Sequence, residues 1–214
     1  MFIFDTHLHT NYYSSCSDID PEELIRRAVE IHLDGIAITD HGIRWPDEKF
    51  DNLRRLADPH GLILINGQEV QTYSPQNERE GEFLVFGPKK SLGSDFSARE
   101  LAARVHGEGG ILIAAHPYKL SRLRGKRYYG AGDGVYEIDL DAIEFRHPHH
   151  DQEALGKVQK AMEKLGLPGT GGSDAHQLQE IGSCVTLFAN EVKNEEDFIR
   201  EIRAGNIQAK ENKR

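Results

Sequence analysis

Two histidines one residue apart, His7 and His9, close the apolar run that opens the chain, MFIFDTHLHT. A strand sends alternate side chains to one face, so the two imidazoles would point the same way. Imidazole is the commonest metal ligand among side chains. Similar residues recur where other apolar runs stop: Asp40-His41 after GIAIT, Gln68-Glu69 after LILING, His116 after ILIAA, and Asp174 with His176 just past residue 170. His7, His9, His41, Glu69, His116, Asp174 and His176 are therefore the candidate metal ligands. Imidazole and carboxylate without paired thiolates suit Zn, Mn or Fe. Seven donors are too many for one tetrahedral ion, so two or three divalent ions are expected, with Glu69 able to bridge two through its two oxygens. Paired ions can share a hydroxide and clamp the attacking and leaving oxygens of a phosphoryl displacement.

The elements that must carry these residues alternate. FIFD (2–5), GIAITD (35–40), LILINGQEV (62–70), EFLVFG (82–87), ILIAA (111–115), DAIEFR (141–146), a short run near Thr170–Gly171 and CVTLFA (184–189) read as strands. Amphipathic helices are expected over 21–33, 46–57, 98–109, 151–165 and 195–204, the first with Asp20 as N-cap and Pro21 in its first turn. Short apolar strands between amphipathic helices indicate parallel β/α architecture. In a β/α barrel the C-terminal strand ends converge on one face, which carries the active site. The one long irregular insertion is SRLRGKRYYGAGDG (121–134).

With 214 residues and neither a repeat nor a linker rich in Pro, Gly and Ser, one domain over 1–214 is expected. The net charge of −9 disfavours non-specific nucleic-acid binding. Two cysteines, Cys16 and Cys184, argue against a disulfide framework and for a reducing compartment. No signal peptide and no apolar run of membrane-spanning length is visible. A soluble cytoplasmic protein without a membrane partner is the expectation.

DTHLHT, ITDHG, GQEV, AAHPY and GGSDAH resemble, in order, the motif regions of the PHP (polymerase and histidinol phosphatase) family, and the likeness runs over nearly the whole chain. The resemblance implies a distorted (β/α)7 barrel, a multinuclear metal centre and hydrolysis of phosphoesters. By the family pattern His7, His9, Glu69 and Asp174 would hold the first ion, His41 and His176 the second, and Glu69 and His116 the third. Two departures stand out. The family's Ser-Asp-Gly after the first motif is replaced by NYYSSCSD (11–18), where Ser14 or Cys16 aligns and Asp18 reaches the site only if the loop bends. The third ion usually takes a histidine from the strand after the glutamate, and Leu84 stands there. That ion would then be weak, absent or supported by another residue, with His106 and His147 the histidines to consider.

The expected function is a metal-dependent phosphoesterase that hydrolyses a small phosphorylated molecule, a phosphomonoester or nucleotide, through a metal-bound hydroxide. His41 and His176 are the candidates for catalytic proton transfer. For substrate binding the candidates are Arg122, from a basic loop that also holds Lys119, Arg124, Lys126 and Arg127, together with Arg146 and His147 at the end of the DAIEFR strand. Guanidinium matches phosphate bidentately. Asp5 and Asp40, beside ligand histidines, would orient imidazoles. The alternatives are a nuclease of the same family, disfavoured by the acidic charge, and a non-catalytic metal-binding interaction module.

Overall fold

The computed structural model describes residues 1–121 and 128–212. Ten strands, five α-helices and three short 3-10 turns are found among them. In order, the strands and helices are β1 (Phe2–Leu8), α1 (Pro21–Glu30), β2 (Gly35–Ile38), α2 (Asp47–Ala57), β3 (Ile63–Asn66), β4 (Gln68–Tyr73), β5 (Arg79–Phe86), α3 (Ala98–Gly107), β6 (Ile111–Ala114), β7 (Ala142–Arg146), α4 (Gln152–Leu165), β8 (Gly169–Gly171), β9 (Cys184–Phe188), α5 (Glu195–Arg203) and β10 (Ile207–Glu211). Four of the five helices start on side-chain caps, whereas α2 follows Pro46 without one. Asp20 accepts from the amides of Glu22 and Glu23, and Ser97 forms a reciprocal capping box with Glu100. Such caps satisfy donors that the first turn leaves unpaired, each contributing about 1 kcal/mol.

The strands form two five-stranded sheets, ordered β10-β9-β1-β2-β3 and β4-β5-β6-β7-β8. Pairing is parallel for β1-β2-β3 and for β6-β7-β8, as the alternation of strands and helices implies. It is antiparallel for β4-β5, β5-β6, β1-β9 and β9-β10. No closed barrel exists among the described residues. The run LILINGQEV is two strands because the chain turns at Gly67, where an added Cβ would lie 2.4 Å from the Phe86 ring. β10 escapes the sequence reading because IQAKE is a polar edge strand with little buried surface.

The sheets nonetheless share an interior. Phe4, Ala37 and Ile65 from the first pack with Leu84, Phe86, Ile111 and Ile113 from the second, closed by Phe198 of α5. Burying such a side chain stabilises the fold by roughly 1.5–3 kcal/mol. Isolated bridges Leu8–Ala175 and His41–Glu69 join the two sheets at their margins. Both bridges fall among the candidate ligands, so the seam between the sheets is where those residues meet. No described helix is long and apolar enough to cross a membrane.

Candidate metal centre

The seven candidate ligands converge. Their donor atoms form overlapping groups within 4.8 Å of one another: His9, His41 and His176; His7, His116 and Asp174; His7, His9 and Glu69. A fourth group adds a residue that the sequence reading did not single out: Glu69, Glu82 and His116. His7, His9, Glu69, His116 and Asp174 are buried, whereas the side chains of His41 and His176 are 41% and 29% exposed and stand at the mouth.

Partners on the far side of each ring set its orientation. His7 Nδ1 lies 3.1 Å from Glu144 Oε1, and a carboxylate only accepts, so the proton sits on Nδ1 and the Nε2 lone pair faces the cluster. The other Glu144 oxygen accepts from the His116 amide. His176 Nδ1 donates to the Asp174 carbonyl at 2.8 Å. Ser14 Oγ donates to Asp40 at 2.7 Å and accepts the His41 amide, with His9 Nδ1 at 3.4 Å. Asp40 thus acts through Ser14. Asp5 is further back, accepting the amides of His7, Ser173 and Gly182. Cys16 and Asp18 are exposed, and neither belongs to a ligand group.

These donors fit divalent cations. His7 Nε2 and His9 Nε2 lie 3.1 Å apart, and two lone pairs at that separation repel unless a cation or proton lies between them. Glu69 distributes its oxygens, Oε1 to His116 (3.1 Å) and His7 (3.4 Å), Oε2 to His41 (2.9 Å) and His9 (3.6 Å). A carboxylate so placed can bridge two ions. Burial works to raise Glu69 and Asp174, yet both are held well below the usual carboxylate range, chiefly by the charge of His7. Burial likewise opposes protonation of His7, but Glu144, Asp174 and Glu69 hold its imidazole well above the ordinary value. His116, with less compensation for its burial, is lowered to about 4. Glu82 is pushed up to about 8 by burial and then by the Glu69 charge. His116 and Asp174 also have left-handed backbones, φ 27° and 52°. Side chains other than glycine rarely adopt these conformations, and such strain concentrates at functional sites.

The proposed substrate residues lie differently. His147 is buried, accepts the His149 amide on Nδ1, and therefore donates from Nε2 to Asp174 Oδ2 at 3.2 Å. It steadies the carboxylate of a candidate ligand. Lys119 Nζ donates to the same oxygen at 2.7 Å. Arg146 stacks over Phe145, 4.6 Å from the ring centroid, and lines neither cavity flanking the centre. Arg122, Arg124, Lys126 and Arg127 lie outside the described residues. His106 is bound to Asp141 at 2.8 Å, outside every ligand group. One flanking cavity, about 540 Å³, is lined by His41, Glu69, Gln71, Arg79, Glu82 and Tyr129. The other, about 320 Å³, is lined by Lys119, His149, Asp174 and His176. Glu82, Glu144 and Arg79 were missed. The available signal was a charged residue inside an otherwise apolar strand, as in AIEFR.

Comparison with known proteins bears on the fold that carries these residues. Residues 152–207, from α4 to the start of β10, match the PHP-associated family model. The uncharacterized protein MJ1587 of Methanocaldococcus jannaschii is 26% identical over 173 residues, covering 74% of this chain and 92% of that protein. Among solved structures, a two-domain protein of Bacteroides vulgatus containing a predicted PHP-like metal-dependent phosphoesterase superposes with a TM-score of 0.75 at 17% identity. That alignment covers 99% of this chain but 65% of the larger protein. The lesion-specific endonuclease PfuEndoQ of Pyrococcus furiosus has the same fold, with a TM-score of 0.64 at 16% identity over 97% of this chain and 57% of its own. These likenesses give the chain a PHP-like fold. The matched segment, residues 152–207, agrees with the PHP resemblance of the motifs.

The likeness to an endonuclease removes support for excluding nucleic acid on net charge alone. The physical reason is that a summed charge does not describe the field at the mouth of the site, where Arg79 and Lys119 lie.

Proposed function

We propose that the chain is a metal-dependent phosphoester hydrolase of a small phosphorylated molecule, a phosphomonoester or nucleotide. The observation that carries this reading is the convergence of seven imidazole and carboxylate side chains between two solvent-connected cavities. In this reading residues 1–214 act as one domain, its two sheets a distorted and open version of the (β/α)7 barrel. His7, His9, Glu69 and Asp174 would hold one ion, His41 and His176 a second, and Glu69 with His116 a third. Divalent ions in these positions supply Lewis acidity and lower the pKa of bound water for attack at phosphorus.

The chain's own groups do the rest. His41 and His176 reach solvent, and whichever is not committed to an ion can exchange a proton with the leaving oxygen. Arg79, at the rim of the larger cavity, and Lys119, at the smaller, can meet substrate oxygens, and Arg122, three residues past Lys119 in sequence, is assigned the same task on its chemistry alone. Guanidinium holds phosphate in a planar fork. His147 serves by fixing Asp174. Two free cysteines suit a reducing compartment such as the cytoplasm.

The test is elemental analysis of the purified protein followed by assays on aryl phosphates, nucleotides and a duplex carrying an abasic lesion. More than one metal equivalent and monoester hydrolysis that chelation abolishes are expected. The endonuclease likeness favours one second reading, a nuclease, which lesion cleavage without monoester hydrolysis would establish. Metal without either activity would leave a non-catalytic binding module.

A further inference from the structure

The third ion lacks a family histidine at Leu84, and the structure shows what surrounds that gap. Leu84 is fully buried in the apolar interior beside Phe4, Ile65 and Phe86. Glu82 lies two residues earlier on the same face of β5 and lines the larger cavity. Its two oxygens have separate partners. Oε1 pairs with Arg79, while Oε2 is directed at the centre, 3.6 Å from His116 Nε2. Arg79 is itself seated over the Tyr129 ring, 4.9 Å from the guanidinium carbon to the centroid. One carboxylate oxygen is thus tethered by a cation and the other is available.

We propose that Glu82 completes a third cation position with Glu69 and His116, and that its oxygen-rich donor set makes this the position where manganese or magnesium competes best with zinc. The inference rests on the metal centre proposed above and concerns which ions fill it. Two carboxylates and one imidazole contrast with the three imidazoles of His9, His41 and His176. Zinc outbinds manganese at most nitrogen and oxygen sites, but the margin narrows as oxygen replaces imidazole, because carboxylate suits magnesium and manganese. Two buried carboxyl groups with oxygens within 4.8 Å also crowd negative charge whenever both ionise, with Arg79 paired to Glu82 and His41 to Glu69. A divalent ion there would relieve it. The centre would then be of mixed composition, its third position following whichever hard cation is abundant.

The test uses the full chain, stripped with chelator and reloaded with Mn²⁺, Zn²⁺ or both. Bound metal is counted by elemental analysis and Mn²⁺ by electron paramagnetic resonance. The wild type should hold one more manganese equivalent than Glu82→Gln, or hold it at least tenfold more tightly. Glu82→His should keep that equivalent but raise its zinc-to-manganese affinity ratio about tenfold. Circular dichroism checks that each variant is folded. If Glu82→Gln does not fold, Glu82→Asp, which keeps the charge but shortens the reach, should weaken the same equivalent. Wild-type stoichiometry and affinity in Glu82→Gln, or in Glu82→Asp should the Gln variant not fold, would overturn the assignment of Glu82 while leaving the remaining centre intact. An unchanged metal ratio in Glu82→His would overturn the selectivity. A wild-type protein that binds no metal would overturn the proposed function itself.

Discussion

His7 reaches the centre through Nε2 because Glu144 takes its other nitrogen, and Glu144 also receives the His116 amide. One buried carboxylate therefore holds the His7 ring and the His116 backbone. Removing such a partner from a ligating histidine typically costs 10–100-fold in metal affinity. Glu144→Gln keeps the volume but can present an amide N–H to Nδ1, which would force the proton toward Nε2. The expected outcome is a roughly 10–100-fold weaker metal affinity with unchanged far-ultraviolet circular dichroism, measured by competition against a chelator of known strength. Unaltered affinity would mean that His7 does not need this tautomer. The same logic places His147, with its Nε2–H on Asp174, among the positioning residues.

At the scale of elements, the site is built where strands end against one another. β8 is three residues long, and the chain leaves it through Gly172, where an added Cβ would lie 2.4 Å from His7 Cβ and 2.6 Å from Glu144 Oε1. Neither atom is the far end of an exposed side chain, so neither yields cheaply. Gly172→Ala should push His7 off Glu144 and lower stability by about 1–3 kcal/mol, the usual range for overpacking, with metal affinity falling in parallel. Denaturant unfolding and metal titration on the same sample would check both. A stable variant with normal metal binding would show that β1 and β8 can separate without disturbing His7. The β4-β5 hairpin has the complementary task of carrying Glu69 and Glu82, on neighbouring strands, to the same mouth.

Across the whole molecule, a buried ion-pair clasp ties the two sheets together. The Arg44 guanidinium donates to both Glu195 oxygens and to the carbonyl of Asn66, at the end of β3. Glu195 also accepts the Gly87 amide just past β5 and is paired with Lys89. Burial would raise the Glu195 carboxyl, but hydrogen bonds and charge from Arg44, then Lys89, hold it below its ordinary value of 4.5. A depressed carboxyl adds stability above its unfolded pKa, and that stability is lost as pH falls through the folded value. Glu195→Gln should therefore cost about 3 kcal/mol at neutral pH, as expected when one partner of a buried pair is removed. It should also flatten the decline of Tm as pH drops below the ordinary carboxylate value. An equal acid decline in wild type and variant would locate that sensitivity elsewhere. Metal acts on the same global equilibrium. Ions at 100 times their Kd would add about 2.7 kcal/mol, roughly 5–11 °C in Tm for a chain of this size. A chelator should reverse that shift in a thermal melt, and a melt indifferent to chelator would contradict a centre that binds only the folded state.

The chemistry of the centre was legible in the chain itself: His7, His9, His41, Glu69, His116, Asp174 and His176 stand at the ends of apolar runs, and strand ends are where buried backbone gives way to polar side chains. Helix starts were equally legible, because capping is local and Asp20 needs only its own next residues. The sense of β5, the edge strand β10 and the turn at Gly67 were not, since pairing direction and close approach depend on residues far away in sequence. The same holds for Glu144, whose partners lie 137 and 28 residues away, and for the Arg44–Glu195 clasp, spanning 151 residues. Sequence determined which side chains could bind and where strands would present them. Only tertiary structure decided which carboxylate aims which imidazole, and that Glu82 rather than Leu84 lies beside Glu69 and His116, because a side chain's surroundings there are set by neighbours that the fold alone brings together.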